Sequence, residues 1–271
     1  FGDLFEARGW HKIQRSNISI QTSVDSAKLS YVAEDDLEFA VTLKFLQHAT
    51  EVTATRAIFD LKLQPAERFT LGVEVEVHNP LEPNLPSLFT YPQWRERVKV
   101  KLENQHHQRV LDRAVEDLRA LLLFTKDGPM PAAGIPWYVT AFGRDSMLTS
   151  YMMLPYYPDI AKGTLCYLAA RQGTKHNDFH AEAPGKILHE VRYGELSRTN
   201  KVPFTTYYGT VDATMLFIML LHRLYKKTND LEIVKELQTN WEAALGWMQN
   251  DGDLDKDGFL EFKGAELGKG L

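Results

Sequence analysis

The hydrophobic period of this chain changes from two to 3.6 across a stretch containing four prolines, and a chain patterned in that way divides into a strand-rich and a helical part. In the first part, Leu37, Phe39, Val41, Leu43 and Phe45 alternate with polar or small residues. Ala57, Phe59, Leu61 and Leu63 repeat the pattern, as do Leu71, Val73, Val75 and Val77. Alternation places one apolar row on one face of each strand and leaves the other to solvent, which favours an antiparallel β-sandwich over a parallel sheet buried on both faces. The prolines of residues 79–93 remove backbone donors and disfavour helix before them, so this stretch reads as the linker between a domain at 1–93 and another at 94–271.

After the linker, Leu111, Ala114, Val115, Leu118, Leu121 and Leu122 fall on one helical face. Residues 211–225 are apolar nearly all round and predict a helix buried on every side. Residues 230–249 place Leu231, Val234, Leu237, Trp241, Leu245 and Met248 on a single stripe, which predicts a helix wrapped on one side. Alternating fully and half-wrapped helices suits two concentric helical layers, although a plain bundle has the same pattern. The intervening stretches, 125–142 and 173–209, read as long polar and aromatic loops of the kind that carry function.

Composition narrows the chemistry. The chain has 31 basic and 36 acidic residues, a net charge of −5, which offers no general attraction to nucleic acid. Its single cysteine, Cys166, sits in an apolar stretch and reads as a buried thiol, and no apolar run is long enough to cross a bilayer. These features predict a cytoplasmic protein with no membrane partner, and they leave a homo-oligomer open. The motifs of zinc proteases, redox dithiols, dinucleotide sites and P-loops are missing, so no cofactor and no metal are expected. The acidic stretch 252–262 has Asp253, Asp255, Asp257 and Gly258 in the positions of a calcium loop. Its closing position is Gly264, which has no carboxylate, so it reads as an inter-helix turn.

Three segments carry the functional signal. In GIPWYVTAFGRDSM, Arg144 and Asp145 precede an apolar helix beside Trp137 and Tyr138. That combination suits a polyhydroxylated ring, with charged groups for its hydroxyls and an aromatic wall for its C–H face. The structural reading is that Asp145 or Ser146 caps the helix. HEVRYGELS interleaves Glu190, Arg192 and Glu195, which would equally suit a surface ion-pair network. Asp212 opens the helix at 212, where a charge favoured by the helix dipole would suffice.

Taken in order, WYVTAFGRDSM (137–147), HEVRYGEL (189–196), PFTTYYGTVDATMLF (203–217) and ALGWMQNDGDLDKDGFLEF (244–262) resemble bacterial amylo-α-1,6-glucosidases, the glucosidase part of the glycogen-debranching enzyme family. The resemblance covers about residues 104–271, and the strand-rich part looks like that family's preceding β domain. It implies an α+β multidomain protein, an N-terminal β-sandwich followed by part of an (α/α)6 barrel of the six-hairpin glycosidase type. It further implies hydrolysis of α-1,6 branch points in glycogen-like glucans by an inverting two-carboxylate mechanism. Arg144 and Asp145 match the pair that holds the terminal glucose. Glu190, Arg192, Tyr208 and Asp212 match pocket-lining positions, with Trp137 as apolar wall.

The family's general acid, an Asp after a Trp, and its general base, a Glu, would lie beyond Leu271, and neither motif is present in the sequence. Twelve barrel helices with their connections need roughly 250 to 350 residues, so residues 104–271 are expected to supply about half of one. Inner residues such as Met215, Phe217 and Leu220 would then be partly uncovered. Glu190 and Glu261 stay open as direct catalytic groups. Two alternatives compete: a related glucosidase or trehalase-type barrel for another sugar, and a non-catalytic carbohydrate-binding module.

Overall fold

The computed structural model describes residues 2–10, 13–15, 18–81 and 90–262. The chain divides into two compact units, one of Phe1–Pro83 with Tyr193–Thr199, the other of Asn84–Arg192 with Asn200–Leu271. Most of the proline-rich stretch, residues 82–89, lies outside the described residues, as does Gly264.

The first unit contains α1 (Leu4–Ala7), β1 (Ile18–Thr22), β2 (Ser26–Val32), β3 (Glu38–Phe45), β4 (Glu51–Val52), β5 (Ala57–Ile58) and β6 (Val73–His78). An antiparallel sheet runs in the order β1-β2-β3-β6, and β4 pairs with β5 in a two-stranded ladder. The register aligns Ile20 with Leu29, Leu29 with Val41, and Val41 with Val77, so alternation collects the apolar side chains on one face. The opposite face carries Gln21, Lys28, Thr42 and Glu76. The sequence pattern therefore predicts β3 and β6 correctly, but not a strand over residues 57–63. Only Ala57 and Ile58 pair there, while Leu61 and Leu63 stand exposed with no partner strand. A second full sheet, which a sandwich requires, is absent among the described residues.

Polar pins supplement the small core of this unit. Asp3 and Glu6 form a capping box around α1, which buries Phe5. Glu6 also binds Arg15 through a bidentate pair of hydrogen bonds. Tyr31 Oη donates to Glu195 at 2.7 Å, Glu34 N donates to the same carboxylate at 2.8 Å, and Arg198 Nε donates to Asp35 at 2.6 Å. Glu195 and Arg198 belong to α6 (Glu195–Arg198), which lies within Tyr193–Thr199, the later segment counted with this unit.

The second unit contains α2 (Tyr91–Arg95), α3 (Gln105–Ala120), β7 (Leu122–Thr125), β8 (Gly128–Pro131), α4 (Gly143–Met153), α5 (Pro158–Ala169), α7 (Asp212–Thr228), α8 (Leu231–Glu236) and α9 (Gln238–Gln249). Asn104 caps α3 by accepting from His106 N and His107 N. Trp94 is fully buried, stacks on Tyr157 at 3.8 Å and donates through its indole N–H to Val115 O. The predicted face of α3 holds at Leu111, Val115 and Leu118, while Ala114 is exposed. Leu122 instead begins a β7–β8 hairpin, which occupies part of the region read as loop, because Lys126 and Asp127 make a turn that returns the chain at Gly128.

The main core lies among α4, α5, α7 and α9. Two expectations fail here. α7 buries Phe217, Leu220, Leu221 and Leu224 but leaves Met219 55% exposed, because His222, Arg223 and Lys226 share that outer side and interrupt its apolar surface. Phe217 and Leu220 are consequently enclosed rather than uncovered, and Met215 is half-buried. Residues 231–249 are also not one helix. The chain breaks at Leu237, which resets the helical phase: Val234, Leu237 and Trp241 of the stripe pack in or against the core, whereas Leu231 and Leu245 are exposed and Ile233, Ala244 and Trp247 are buried in their stead. Among the described residues, no helix is long and apolar enough to cross a membrane.

Candidate functional site

Residues 137–147, 189–192 and 203–217 of the signal segments lie side by side in the second unit. Val191 N donates to Ala141 O at 3.2 Å and Gly143 N to His189 O at 2.8 Å, which ties the approach to α4 to residues 189–191. On the other edge, His189 N and Glu190 N both donate to Tyr207 O, and Tyr207 N returns a bond to Glu190 O at 2.9 Å. Short bridges thus join Phe142 to Glu190 and Glu190 to Tyr207. The close approach requires Gly143: a Cβ there would stand 2.1 Å from Leu188 O.

This framework opens into a pocket of about 270 Å³, lined by Arg144, His189, Glu190, Tyr207 and Asp212 among others. The volume falls just below the ~300–1,000 Å³ of sites for drug-sized ligands and suits one small polar ring. Arg144 Nη1 donates to Asp212 Oδ2 at 3.0 Å, joining the first turn of α4 to the first turn of α7. Thr210 Oγ1 donates to the other oxygen of Asp212. Burial alone would raise the Asp212 carboxyl, but the Thr210 hydroxyl and the Arg144 guanidinium outweigh it and hold the group below its ordinary value. Asp212 is therefore a carboxylate at neutral pH.

Glu190 is fully buried and accepts from Arg192 Nε at 2.6 Å. Arg192 in turn donates through Nη1 to Trp137 O at 2.7 Å and lies over the rings of Phe142 and Tyr138. Its planar fork thus anchors both the pocket carboxylate and the aromatic turn at 134–138.

The structure brings Arg144, Glu190 and Asp212 together on the pocket wall, with Arg192 supporting Glu190 from behind. Asp145 occupies the first turn of α4, where its side chain caps nothing: the helix begins at Gly143, with Phe142 before it making no side-chain cap. Ser146 does not cap either, since its Oγ donates to Pro131 O at 2.6 Å. Trp137 is half-exposed and does not line the pocket. Tyr208 turns into the core, where its hydroxyl donates to Arg171 O at 2.8 Å. Glu195 belongs to the first unit and is not part of this pocket.

Several lining residues escape the sequence reading. His189, Phe204, Tyr207, Thr210 and Phe262 all face the pocket. Phe204 and Tyr207 pack edge to face at 5.0 Å. Gly209 is needed beside them, since a Cβ would meet the Tyr207 hydroxyl at 2.1 Å. The one available signal was proximity in sequence, as His189 adjoins Glu190 and Thr210 lies two residues before Asp212.

Among the described residues, one group could hold a metal ion: Asp253, Asp255, Asp257 and Glu261 can place one oxygen each within 4.8 Å of the others. Glu261 thus joins the three aspartates in place of the carboxylate missing from position 264. These same side chains build the turn: Asp253 accepts from Gly258 N, Asp257 from Phe259 N, and Glu261 from Leu254 N.

No curated protein matches the chain. A family model described as the N-terminal domain of (some) glycogen debranching enzymes matches residues 1–74, so the opening part of the first unit is similar to that domain.

Proposed function

We propose that this protein is a glycosidase of glycogen-like glucans and that the pocket of the second unit holds a terminal glucose at an α-1,6 branch point. The observation that carries the reading is the convergence of Arg144, Asp212 and Glu190, which lie far apart in sequence, on one small cavity. The N-terminal match to a domain of glycogen debranching enzymes supports the glucan as substrate class.

A glucose ring presents hydroxyls that both donate and accept. The carboxylates of Asp212 and Glu190 accept from them, and the exposed part of the Arg144 guanidinium donates. Asp145, outside the lining, adds its negative charge near His189 from the first turn of α4, while Phe204 and Tyr207 offer aromatic surface. Trp137 and Arg192 act outside the cavity, Arg192 by fixing Glu190.

In an inverting mechanism, a carboxylic acid protonates the glycosidic oxygen while a carboxylate activates water on the opposite face of the ring. Asp212 is held ionised and therefore does not serve as the acid. Glu190 is committed to Arg192. Both are assigned to binding, and the acid and base to carboxylates outside the described residues. The intended fold for this chemistry is the (α/α)6 barrel, built on the helices of the second unit.

Calorimetric titration of the 271-residue chain with isomaltose, maltose and trehalose tests the reading. Isomaltose is expected to bind, and Arg144→Ala is expected to weaken it at least roughly tenfold, the ~1.5–3 kcal/mol of a hydrogen bond involving a charged group. Equal binding by Arg144→Ala, or preference for trehalose, would overturn the assignment.

A further inference from the structure

We infer that His189 is a specificity-determining residue of the pocket, a neutral imidazole whose Nε2–H donates a hydrogen bond to a hydroxyl of the bound sugar. This inference rests on the carbohydrate reading and adds a neutral donor to a wall that holds the Glu190 and Asp212 carboxylates and the Arg144 guanidinium.

Position comes first. The His189 backbone is clamped on both sides, its N–H donating to Tyr207 O at 2.7 Å and its C=O accepting from Gly143 N at 2.8 Å. The ring stands edge to face against Phe142 at 5.7 Å and Tyr207 at 6.2 Å, so its orientation is set by packing. It lines the cavity beside Arg144, Glu190 and Asp212.

The two nitrogens differ. Nδ1 is buried with no hydrogen-bond partner among the described residues. A neutral imidazole has one donor and one acceptor nitrogen, and a cationic ring has two donors. A proton on Nδ1 would therefore create an orphaned buried N–H, the rarer and more costly form of an unmet polar group. The proton belongs on Nε2, which leaves that nitrogen as the donor for a ligand in the cavity.

The charged surroundings agree with a neutral ring. Burial lowers the His189 pKa below the ordinary histidine value, and the Arg144 guanidinium reinforces the shift; Asp145 and Asp212 oppose it, while Arg192 adds to it. A neutral donor at this place suits an uncharged hydroxyl, which can accept from it while giving its own proton to Asp212 or Glu190.

The test uses isomaltose as probe, with His189→Gln, His189→Asn and His189→Phe in the full chain. Glutamine can place an amide N–H near the position of Nε2, whereas asparagine reaches only that of Nδ1. Expected are roughly tenfold weaker binding for His189→Phe and His189→Asn, and recovery to within about threefold for His189→Gln. Equal binding by wild type and His189→Phe, with thermal melts showing both folded, overturns the inference while leaving the carbohydrate reading intact. Failure of the wild type to bind overturns the carbohydrate reading. Nitrogen-15 NMR of the sugar-free chain then decides the ring separately: an Nε2-protonated neutral imidazole supports the donor assignment, and an Nδ1-protonated or cationic one overturns it.

Discussion

The two units solve the same problem, holding a chain in place, with different materials. In the second, Phe217, Leu165, Leu168 and Ile187 are enclosed in a continuous apolar core, and Trp94 anchors a further cluster. In the first, the sheet has a well-sorted apolar face, yet Val73, Val75 and Val77 of β6 are each about half-exposed or more. The buried groups that fix it include Asp3, Tyr31 and Glu195, joined through specific hydrogen bonds. Apolar packing tolerates changes of pH and salt, whereas a network of ionisable groups keeps its strength only while each member has the right charge.

Removing the largest anchor of the second unit should have the greatest effect. Trp94→Ala deletes a fully buried indole, its stack on Tyr157 and its bond to Val115 O, and should cost about 3–5 kcal/mol in urea unfolding. A loss under about 1 kcal/mol would show that the apolar core is not what holds this unit. A smaller change is expected from Tyr31→Phe. It removes the phenol that donates to the buried Glu195 carboxylate, at a cost of about 1.5–3 kcal/mol, and sugar titration should report whether the pocket is affected. A neutral result would mean that the pins of the first unit are ornamental.

The most diagnostic effect concerns pH. The bonds from Arg15 hold the Glu6 carboxyl at about 2, against an ordinary 4.5. A lowered folded-state pKa means that this pair stabilises the fold fully above pH 4.5 and that its contribution is lost as pH falls through about 2. The first unit should therefore weaken across that window, and Glu6→Gln should flatten the slope in thermal melts followed from pH 5 to pH 2. An unchanged slope would assign the acid sensitivity to other carboxylates.

Where sequence periodicity had a physical partner, it was readable. The alternation of residues 38–45 and 73–77 survives because each strand finds a neighbour that shares its register. Residues 59–63 have the same alternation and no such neighbour. Glu190 and Arg192 could be paired from sequence, since i and i+2 in an extended strand share a side. Arg144 and Asp212 could not, because only tertiary structure brings them together. The adjacent tyrosines show a subtler limit: Tyr207 faces the pocket and Tyr208 the core, and a pair of identical residues in sequence does not reveal the phase of the strand. The break at Leu237 was similarly hidden, because the stripe of residues 230–249 continues through it in sequence but not in space.

The bridging of residues 141–143, 189–191 and 207 by backbone hydrogen bonds also sets how the pocket comes into being. Contacts between such separated stretches close long loops and are gained late, after more local structure has formed. The cavity is thus a property of the assembled unit rather than of any one segment. In denaturant, it should vanish together with the cooperative unfolding of the helices around it, leaving no partly unfolded state that still grips a sugar.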